Sequence, residues 1–231
     1  MKTIRIIIMC VCCVLTGYDA SAKKNKPLRN IPTDTIVIPE DIIFDVMSSE
    51  IENESQYSAT FDINMSIMGE TMLDVDQMYL FVKSQNKDFP REIAEAFHRI
   101  GSAYGIRGDI ALCQSILETG WFRFTGGTAV KPDQHNYCGL GVTRLGKKGH
   151  AFKTVEEGVK AHIQHLYAYA CHDNLPKGEK LIDPRFTLVS RGIAPTWADL
   201  NRKWAANDHY AQRIMNIYSQ MANFSLTDND N

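Results

Sequence analysis

Apolar side chains recur at helical spacing between two residues that interrupt helices, Pro90 and Gly105. The repeating positions, at steps of four, three and four, are Ile93, Phe97, Ile100 and Tyr104. This spacing places all four on one face of an α-helix and predicts that the face packs against a core. Pro90 is predicted at the first helical position, and Gly105 is predicted to end the helix in the left-handed conformation.

Polar pairs three residues apart predict the starts of three further helices. In each pair the first side chain can accept a hydrogen bond from the backbone of the second, as in a capping box. The pairs are Asp74 with Gln77, Thr154 with Glu157, and Thr196 with Asp199. The three helices are predicted to end near residues 86, 171 and 204.

Two more helices are predicted from single polar residues at their first turns. Asp109 opens a short apolar helix that stops at Gly120. Asn207, with Asp208 in the first turn, opens the last helix, which is predicted to run to about residue 223.

Residues 125–153 interrupt the helical pattern. This stretch has few helix-forming residues, and it has glycine at positions 126, 127, 139, 141, 146 and 149. We expect a loop with a small hairpin, whose strands are residues 140–144 and 150–153, joined through residues 146–149. The predicted fold class is therefore α+β and mainly α, a helical domain with a small glycine-rich β lobe.

The first 22 residues have the features of a secretory signal peptide. Lys2 and Arg5 precede an apolar run over residues 6–15 that is too short to span a bilayer, and Ala20-Ser21-Ala22 supplies small residues for cleavage. We predict a mature start at Lys23, export to the periplasm or the extracellular space, and no stable membrane insertion. A lipoprotein and an uncleaved membrane anchor are the less favoured alternatives.

The mature chain is predicted to have three parts. Residues 23–65 contain three prolines and no sustained helical period, so we expect a linker or tether that is only partly ordered. Residues 66–224 form the domain, and residues 225–231, rich in Asp and Asn, are expected to fray.

Composition and charge argue against some classes of function. The 231 residues are 44% hydrophobic with a net charge of -2, which suits a globular protein and argues against a nucleic-acid partner.

The cysteines after the leader allow at most one disulfide, with buried free thiols as the other possibility; they are Cys113, Cys138 and Cys171. His162 and His165 share a helical face but have no placed third ligand, so no metal or cofactor is predicted. Protein partners are left open.

Glu118 is the strongest candidate for a catalytic residue. The sequence contains no nucleophile elbow, phosphate loop, dinucleotide-binding motif or zinc-protease motif. Glu118 follows Leu117 in the last turn of an apolar helix, where apolar neighbours and carbonyl ends both disfavour the carboxylate. We therefore expect a raised pKa for Glu118, as a general acid requires. A glutamate that simply faces solvent is the alternative interpretation.

Five motifs follow one another between residues 110 and 214. They are Ile110–Gly120, Asn136–Gly141, His162–Ala170, Asp183–Phe186 and Tyr210–Ile214. In order and spacing they resemble the glucosaminidase domain of glycoside hydrolase family 73, over about residues 66–224. The resemblance implies a lysozyme-like fold and hydrolysis of the β-1,4 bond after N-acetylglucosamine in peptidoglycan, whose glycan strands are then the partner. A muramidase or lytic transglycosylase of the same fold, and a non-catalytic peptidoglycan-binding protein, remain alternatives.

The resemblance also implies roles for individual residues. Glu118 matches the family's proton donor, and Tyr210 matches a tyrosine that lines the cleft and assists catalysis. Tyr137 stands where the family's motif of two asparagines and a glycine has its second asparagine. The residues expected to bind substrate, or to fix the turn beside the acid, are Thr119, Asn136, Tyr137 and Gly139.

A second catalytic group is not identified by these motifs. Inverting glycosidases hold a base about 6.5–9.5 Å from the acid, and retaining ones a nucleophile about 5–5.5 Å away. Glu156 and Asp133 are the candidates, although a position near a helix N-terminus is the simpler explanation for Glu156 and a turn is the simpler one for Asp133. The substrate's own N-acetyl group is the third possibility. Among the aromatic residues, Tyr137 and Tyr210 are expected at the site, and Trp197 and Trp204 in the core.

Overall fold

The computed structural model describes residues 61–125, 128–142 and 148–225. The predicted signal peptide, nearly all of the predicted tether and the tail after residue 225 lie outside these ranges. Within them, no helix is both long and apolar enough to cross a bilayer.

The described residues form a mainly helical domain, which confirms the predicted fold class in its main part and agrees with a lysozyme-like arrangement. Its helices are α1 (Val75–Gln85), α2 (Arg91–Tyr104), α3 (Gly108–Thr119), α4 (Val155–Ala170) and α5 (Tyr210–Ala222). Three single 3₁₀ turns lie between them, at Pro132–Gln134, Phe186–Leu188 and Ala198–Leu200. α2 packs against both α3 and α4, and α3 packs against α5.

α3 is the central helix of the domain. Ten of its twelve residues are buried, as expected for a helix that is apolar on nearly all sides. Its start lies directly against α2, because a Cβ at Gly108 would stand 2.2 Å from the Phe97 carbonyl oxygen. Asp109, predicted to open the helix, is its second residue and accepts hydrogen bonds from the backbone nitrogens of Met72 and Leu73. The start of α3 is therefore fixed by the segment before α1.

The predicted helix ends are largely confirmed. Gly105 and Gly120 follow α2 and α3 with φ of 61° and 57°, in the left-handed region that glycine adopts without strain. The Asp74 side chain accepts from the Gln77 nitrogen at 2.8 Å, and the Thr154 side chain accepts from the Glu157 nitrogen at 3.2 Å. The apolar face of α2 is buried as predicted. Pro90 precedes the helix instead of starting it, one residue earlier than predicted.

Two predicted helices are wrong in length. Thr196 and Asp199 do exchange the expected hydrogen bonds, but only a 3₁₀ turn follows them. Arg202 has φ of 59°, a left-handed conformation that cannot continue a helix toward residue 204. α5 begins at Tyr210, after the prediction, because the Asn207 side chain accepts from the His209 nitrogen and forms a turn there.

The predicted β lobe is not confirmed. Residues 128–142 and 148–153 contain one 3₁₀ turn and no strand, while residues 143–147 of the predicted hairpin lie outside the described ranges. Gly139 and Gly141 have φ of 66° and 86°, which interrupts an extended run. A backbone hydrogen bond from His150 to Leu140, of 2.8 Å, is the part of the expected pairing that forms.

Candidate active site

Glu118 and Tyr210 meet where the end of α3 contacts the start of α5. The Tyr210 hydroxyl donates a hydrogen bond of 2.5 Å to Oε1 of Glu118. Tyr210 is 3% exposed, whereas Glu118 is half-buried and lines a pocket. Burial and the neighbouring Glu118 carboxylate raise the pKa of the Tyr210 hydroxyl, so this group remains a proton donor. The two residues implied by the resemblance to act together are therefore in contact.

A line of buried polar side chains continues behind Tyr210. Gln114 Nε2 donates to the Tyr210 hydroxyl oxygen at 2.8 Å, and His162 Nε2 lies 2.8 Å from Gln114 Oε1. His162 Nδ1 lies 3.2 Å from the Ser115 hydroxyl. Burial lowers the pKa of His162 to about 3, with a smaller contribution from His165, so the imidazole is neutral at ordinary pH.

The turn after Glu118 is held by Thr119. Its hydroxyl donates to the Ser115 carbonyl at 2.6 Å and accepts from the Phe122 nitrogen at 2.9 Å. The Thr119 side chain is fully buried, so the structure places it where it shapes the turn. A contact between Thr119 and substrate stays a prediction.

The loop that faces Glu118 is built around Asn136. The Asn136 amide donates to the carbonyls of Leu140 and His150 and accepts from the Leu140 nitrogen, each at 2.9 Å. Asn136 is fully buried and holds the loop closed on itself. Gly139 lies close to the acid, because a Cβ there would lie 3.9 Å from Glu118 Oε2. Asn136 thus positions the loop, and Gly139 presents bare backbone to Glu118.

Tyr137 points into the core. It is 2% exposed, and its ring contacts the rings of Phe97 and Phe122 at centroid distances of 6.5 and 5.9 Å. Its hydroxyl lies 3.1 Å from His135 Nδ1. The expectation of a sugar-facing Tyr137 is therefore not supported by its placement.

Neither candidate for the second carboxylate lies with Glu118. Glu156, in the first turn of α4, pairs with Arg99 and lies 3.8 Å from Lys160 Nζ, and it does not line the pocket. Asp133 is exposed in the 3₁₀ turn at Pro132–Gln134 and does not line the pocket either.

The pocket beside Glu118 has a volume of about 350 Å³. Besides Glu118 and Gly139, its lining includes four residues not predicted at the site: His165, Tyr169, Arg185 and Trp204. The Trp204 ring packs at centroid distances of 5.0 Å from His165 and 5.5 Å from Tyr169, which forms an aromatic wall. Trp204, predicted in the core, lines the pocket, whereas Trp197 is fully buried in the core as predicted. His165, Tyr169 and Arg185 lie within the motifs at 162–170 and 183–186, and this position is their signal in the sequence; Trp204 lies in neither motif.

His165 is oriented by a buried carboxylate. Its Nδ1 lies 2.8 Å from Asp183 Oδ2, and Asp183 is 1% exposed. The backbone nitrogen of Arg185 donates to the other oxygen of Asp183 at 2.8 Å. This arrangement fixes the imidazole in the pocket wall and places Arg185 beside it.

No group of three metal-binding side chains is present among the described residues. His162 and His165, which share the face of α4, are instead engaged by neutral partners and by Asp183, respectively. The three cysteines in the described ranges are free thiols. Cys138 lines the pocket, and burial raises the pKa of its thiol.

Comparison with known proteins identifies the family of this chain. A family model described as mannosyl-glycoprotein endo-beta-N-acetylglucosaminidase matches residues 94–223. An uncharacterized protein of Borreliella burgdorferi is 38% identical over 140 residues, which cover 61% of this chain and 67% of the relative. No solved structure matches the chain. Because the family model covers more than half of the chain and includes both Glu118 and Tyr210, the protein belongs to the glucosaminidase family of glycoside hydrolase family 73.

Proposed function

We propose that this protein is an exported endo-β-N-acetylglucosaminidase that hydrolyses the β-1,4 bond between N-acetylglucosamine and N-acetylmuramic acid in bacterial peptidoglycan. Its family supports the coarser assignment of a glycoside hydrolase that acts on peptidoglycan. The observation that carries the proposal is the 2.5 Å hydrogen bond between Tyr210 and a half-buried Glu118 in the wall of a pocket.

In this proposal Glu118 is the general acid that protonates the leaving glycosidic oxygen. Positioned proton transfer of this kind accelerates a reaction by about 10²–10⁴-fold. One oxygen of Glu118 is engaged by Tyr210, and the other lies near the backbone of Gly139, a residue that also lines the pocket. Trp204 offers a ring face to a pyranose, and the His165 and Arg185 side chains offer polar contacts to its substituents.

The placement of carboxylates favours assistance by the substrate. Glu118 is the only acidic side chain among the described residues that line the pocket. Residues 126–127 and 143–147, which interrupt the described ranges near this loop, contain no Asp or Glu in the sequence. We therefore propose that the N-acetyl group of the sugar supplies the nucleophile, as in the substrate-assisted families.

The test is digestion of purified peptidoglycan by the wild type, by Glu118→Gln and by Glu156→Gln. The products are reduced with borohydride, and the sugar at the new reducing end is identified by mass spectrometry. We expect reduced N-acetylglucosamine from the wild type and from Glu156→Gln, and almost none from Glu118→Gln. Equal losses in the two variants would contradict substrate assistance and restore Glu156 as a catalytic residue.

The same experiment separates the alternatives. Reduced N-acetylmuramic acid would identify a muramidase, and its anhydro form a lytic transglycosylase. A wild-type protein that pellets with peptidoglycan but releases no product would indicate a binding protein. The proposed export is tested independently, by locating the protein in cell fractions and sequencing its N-terminus.

A further inference from the structure

The side chains behind Glu118 form one continuous line of hydrogen bonds through the core. Starting from the acid, its members are Tyr210, Gln114, His162 and Ser115. All four are at most 3% exposed. Buried polar groups lose their hydration, and a hydrogen bond returns only part of that cost. Apolar side chains of the same shape could fill this space without a loss of stability, so packing alone does not account for these polar residues.

Gln114 gives the line a direction. An amide oxygen only accepts hydrogen bonds, and an amide nitrogen only donates them. Gln114 places its nitrogen against the Tyr210 hydroxyl oxygen and its oxygen against His162 Nε2. The Tyr210 oxygen therefore receives a hydrogen bond from the core and directs its own O–H to Glu118.

The same constraint selects one tautomer of His162. Because Gln114 Oε1 only accepts, His162 must carry its proton on Nε2, and Nδ1 then accepts from the Ser115 hydroxyl. The imidazole packs edge-on against Phe97, at 5.5 Å between ring centroids, and beside the ring of Trp204 at 5.8 Å. Burial among these rings keeps it neutral, since its pKa is lowered to about 3.

We propose that His162 is a positioning residue of the active site: through Gln114 it holds the Tyr210 hydroxyl as a donor to Oε1 of Glu118, so that the transferable proton of the acid lies on Oε2. Oε2 is the oxygen that faces Gly139 and the loop around it. If these hydrogen bonds ran in the opposite direction, the Tyr210 oxygen would accept a hydrogen bond from protonated Glu118. The acid would then donate its proton into the core instead of toward a glycosidic oxygen. The inference rests on the proposed role of Glu118 as the acid.

The first test reads the tautomer directly. The purified full chain, labelled with ¹⁵N in histidine, is examined by NMR between about pH 5 and 8. We expect His162 to be neutral across this range, with Nε2 protonated and Nδ1 unprotonated, and its signals are assigned by their loss in His162→Gln. The opposite tautomer would show that the line runs in the reverse direction and would overturn the inference. This measurement does not depend on any hydrolytic activity.

The second test is a double-mutant cycle between His162 and Tyr210 with peptidoglycan as substrate. His162→Leu is expected to lower kcat about tenfold or more with little change in KM. The reason is that it removes the orientation of the Tyr210 hydroxyl toward Glu118, which matters only for proton transfer in the transition state. His162→Gln keeps an N–H donor and should restore part of the loss. Since His162 acts through Tyr210, His162→Leu should cost nothing further in a Tyr210→Phe background.

Gln164→Leu is the matched control. It also replaces a buried polar side chain of α4 by an apolar one, so it measures the general effect of such a replacement on activity. Gln164 is also buried on α4, but it bonds to the Tyr104 hydroxyl and the Lys180 carbonyl, outside the line. Its effect on kcat, whatever its size, should add to that of Tyr210→Phe. Additive effects for His162→Leu as well would contradict the inference. A wild type that releases no reducing ends would instead contradict the proposed function, and the NMR result would still decide the direction of the line.

Discussion

Gly139 offers a test of the catalytic geometry that separates chemistry from stability. Its φ is 66°, and a Cβ at this position would lie 3.9 Å from Glu118 Oε2 as its nearest neighbour in the rest of the chain. That distance is an ordinary van der Waals contact, so Gly139→Ala leaves Glu118 where it is. The methyl group would nevertheless occupy the space beside the oxygen that, in the proposed mechanism, must come within about 2.6–3.2 Å of the glycosidic oxygen.

Gly178→Ala is the matched control for this change. Gly178 has φ of 89°, and a Cβ there meets no atom within 4 Å. Both substitutions force alanine into the left-handed region at a cost of about 1–2 kcal/mol. For a domain of this size, that cost corresponds to a fall in Tm of about 2–8 °C in each variant. Only Gly139→Ala places its methyl group next to the acid.

The assay is the rate of release of reducing ends from peptidoglycan, with thermal unfolding of each variant measured in parallel. We expect kcat/KM to fall at least about tenfold in Gly139→Ala, equivalent to about 1.4 kcal/mol of transition-state stabilisation, and to stay near wild type in Gly178→Ala. If the two variants unfold at similar temperatures and also hydrolyse at similar rates, Oε2 does not face the substrate at this loop, and the reasoning is refuted.

Three further predictions follow from the pocket, from His162 and from the leader. Trp204→Ala should raise KM more than it lowers kcat, because the ring binds sugar without taking part in proton transfer; unchanged binding of glycan fragments to Glu118→Gln/Trp204→Ala, relative to Glu118→Gln alone, would count against this role. The pKa of His162 is about 3 in the folded state and about 6.5 in the unfolded chain. Below about pH 6.5 the unfolded chain binds a proton on this residue that the folded protein does not, so the free energy of unfolding should fall, by roughly 2 kcal/mol at pH 5. Urea unfolding of the wild type and His162→Gln at pH 7 and 5 measures this difference, and an equal pH dependence in both proteins would exclude His162 as the cause. The exported protein should begin at Lys23, and an N-terminus elsewhere in the mature form would revise the predicted cleavage site.

The helices that carry the site could be predicted because their ends are encoded locally. Gly105 and Gly120 follow the last periodic residues of α2 and α3, and Thr154 caps α4 through its own side chain. These interactions need no distant partner, so a reading of neighbouring residues finds them. The helix predicted after Thr196 failed because Arg202 adopts a left-handed conformation that no local pattern indicates for a non-glycine residue.

The assignment of aromatic residues could not be predicted in the same way. Tyr137 and Trp204 both lie in irregular segments, where no periodicity tells which side of the chain faces the core. The structure buries Tyr137 between Phe97 and Phe122, and it exposes part of Trp204 to the pocket. Which ring reaches a cleft depends on how loops fold over helices, and that information is distributed over the whole domain.

The chain just after Glu118 shows how the acid itself depends on tertiary packing. Trp121, Phe122 and Phe124 all have positive φ, between 53° and 60°, and each such conformation costs on the order of 1–3 kcal/mol in a residue with a side chain. The surrounding helices must offset this cost. Asn86, at the end of α1, donates to the Trp121 carbonyl at 2.9 Å.

Ring packing supplies the rest of the support for this turn. Trp121 lies against Phe81 at 5.5 Å between ring centroids, and Phe122 lies against Phe89 at 4.7 Å. The backbone that follows Glu118 is thus held by α1 and the segment before α2, while its carboxyl group is held by α5 through Tyr210. Because backbone and side chain are fixed by different elements, α3 alone cannot orient the acid, and the site exists only when the whole domain is folded.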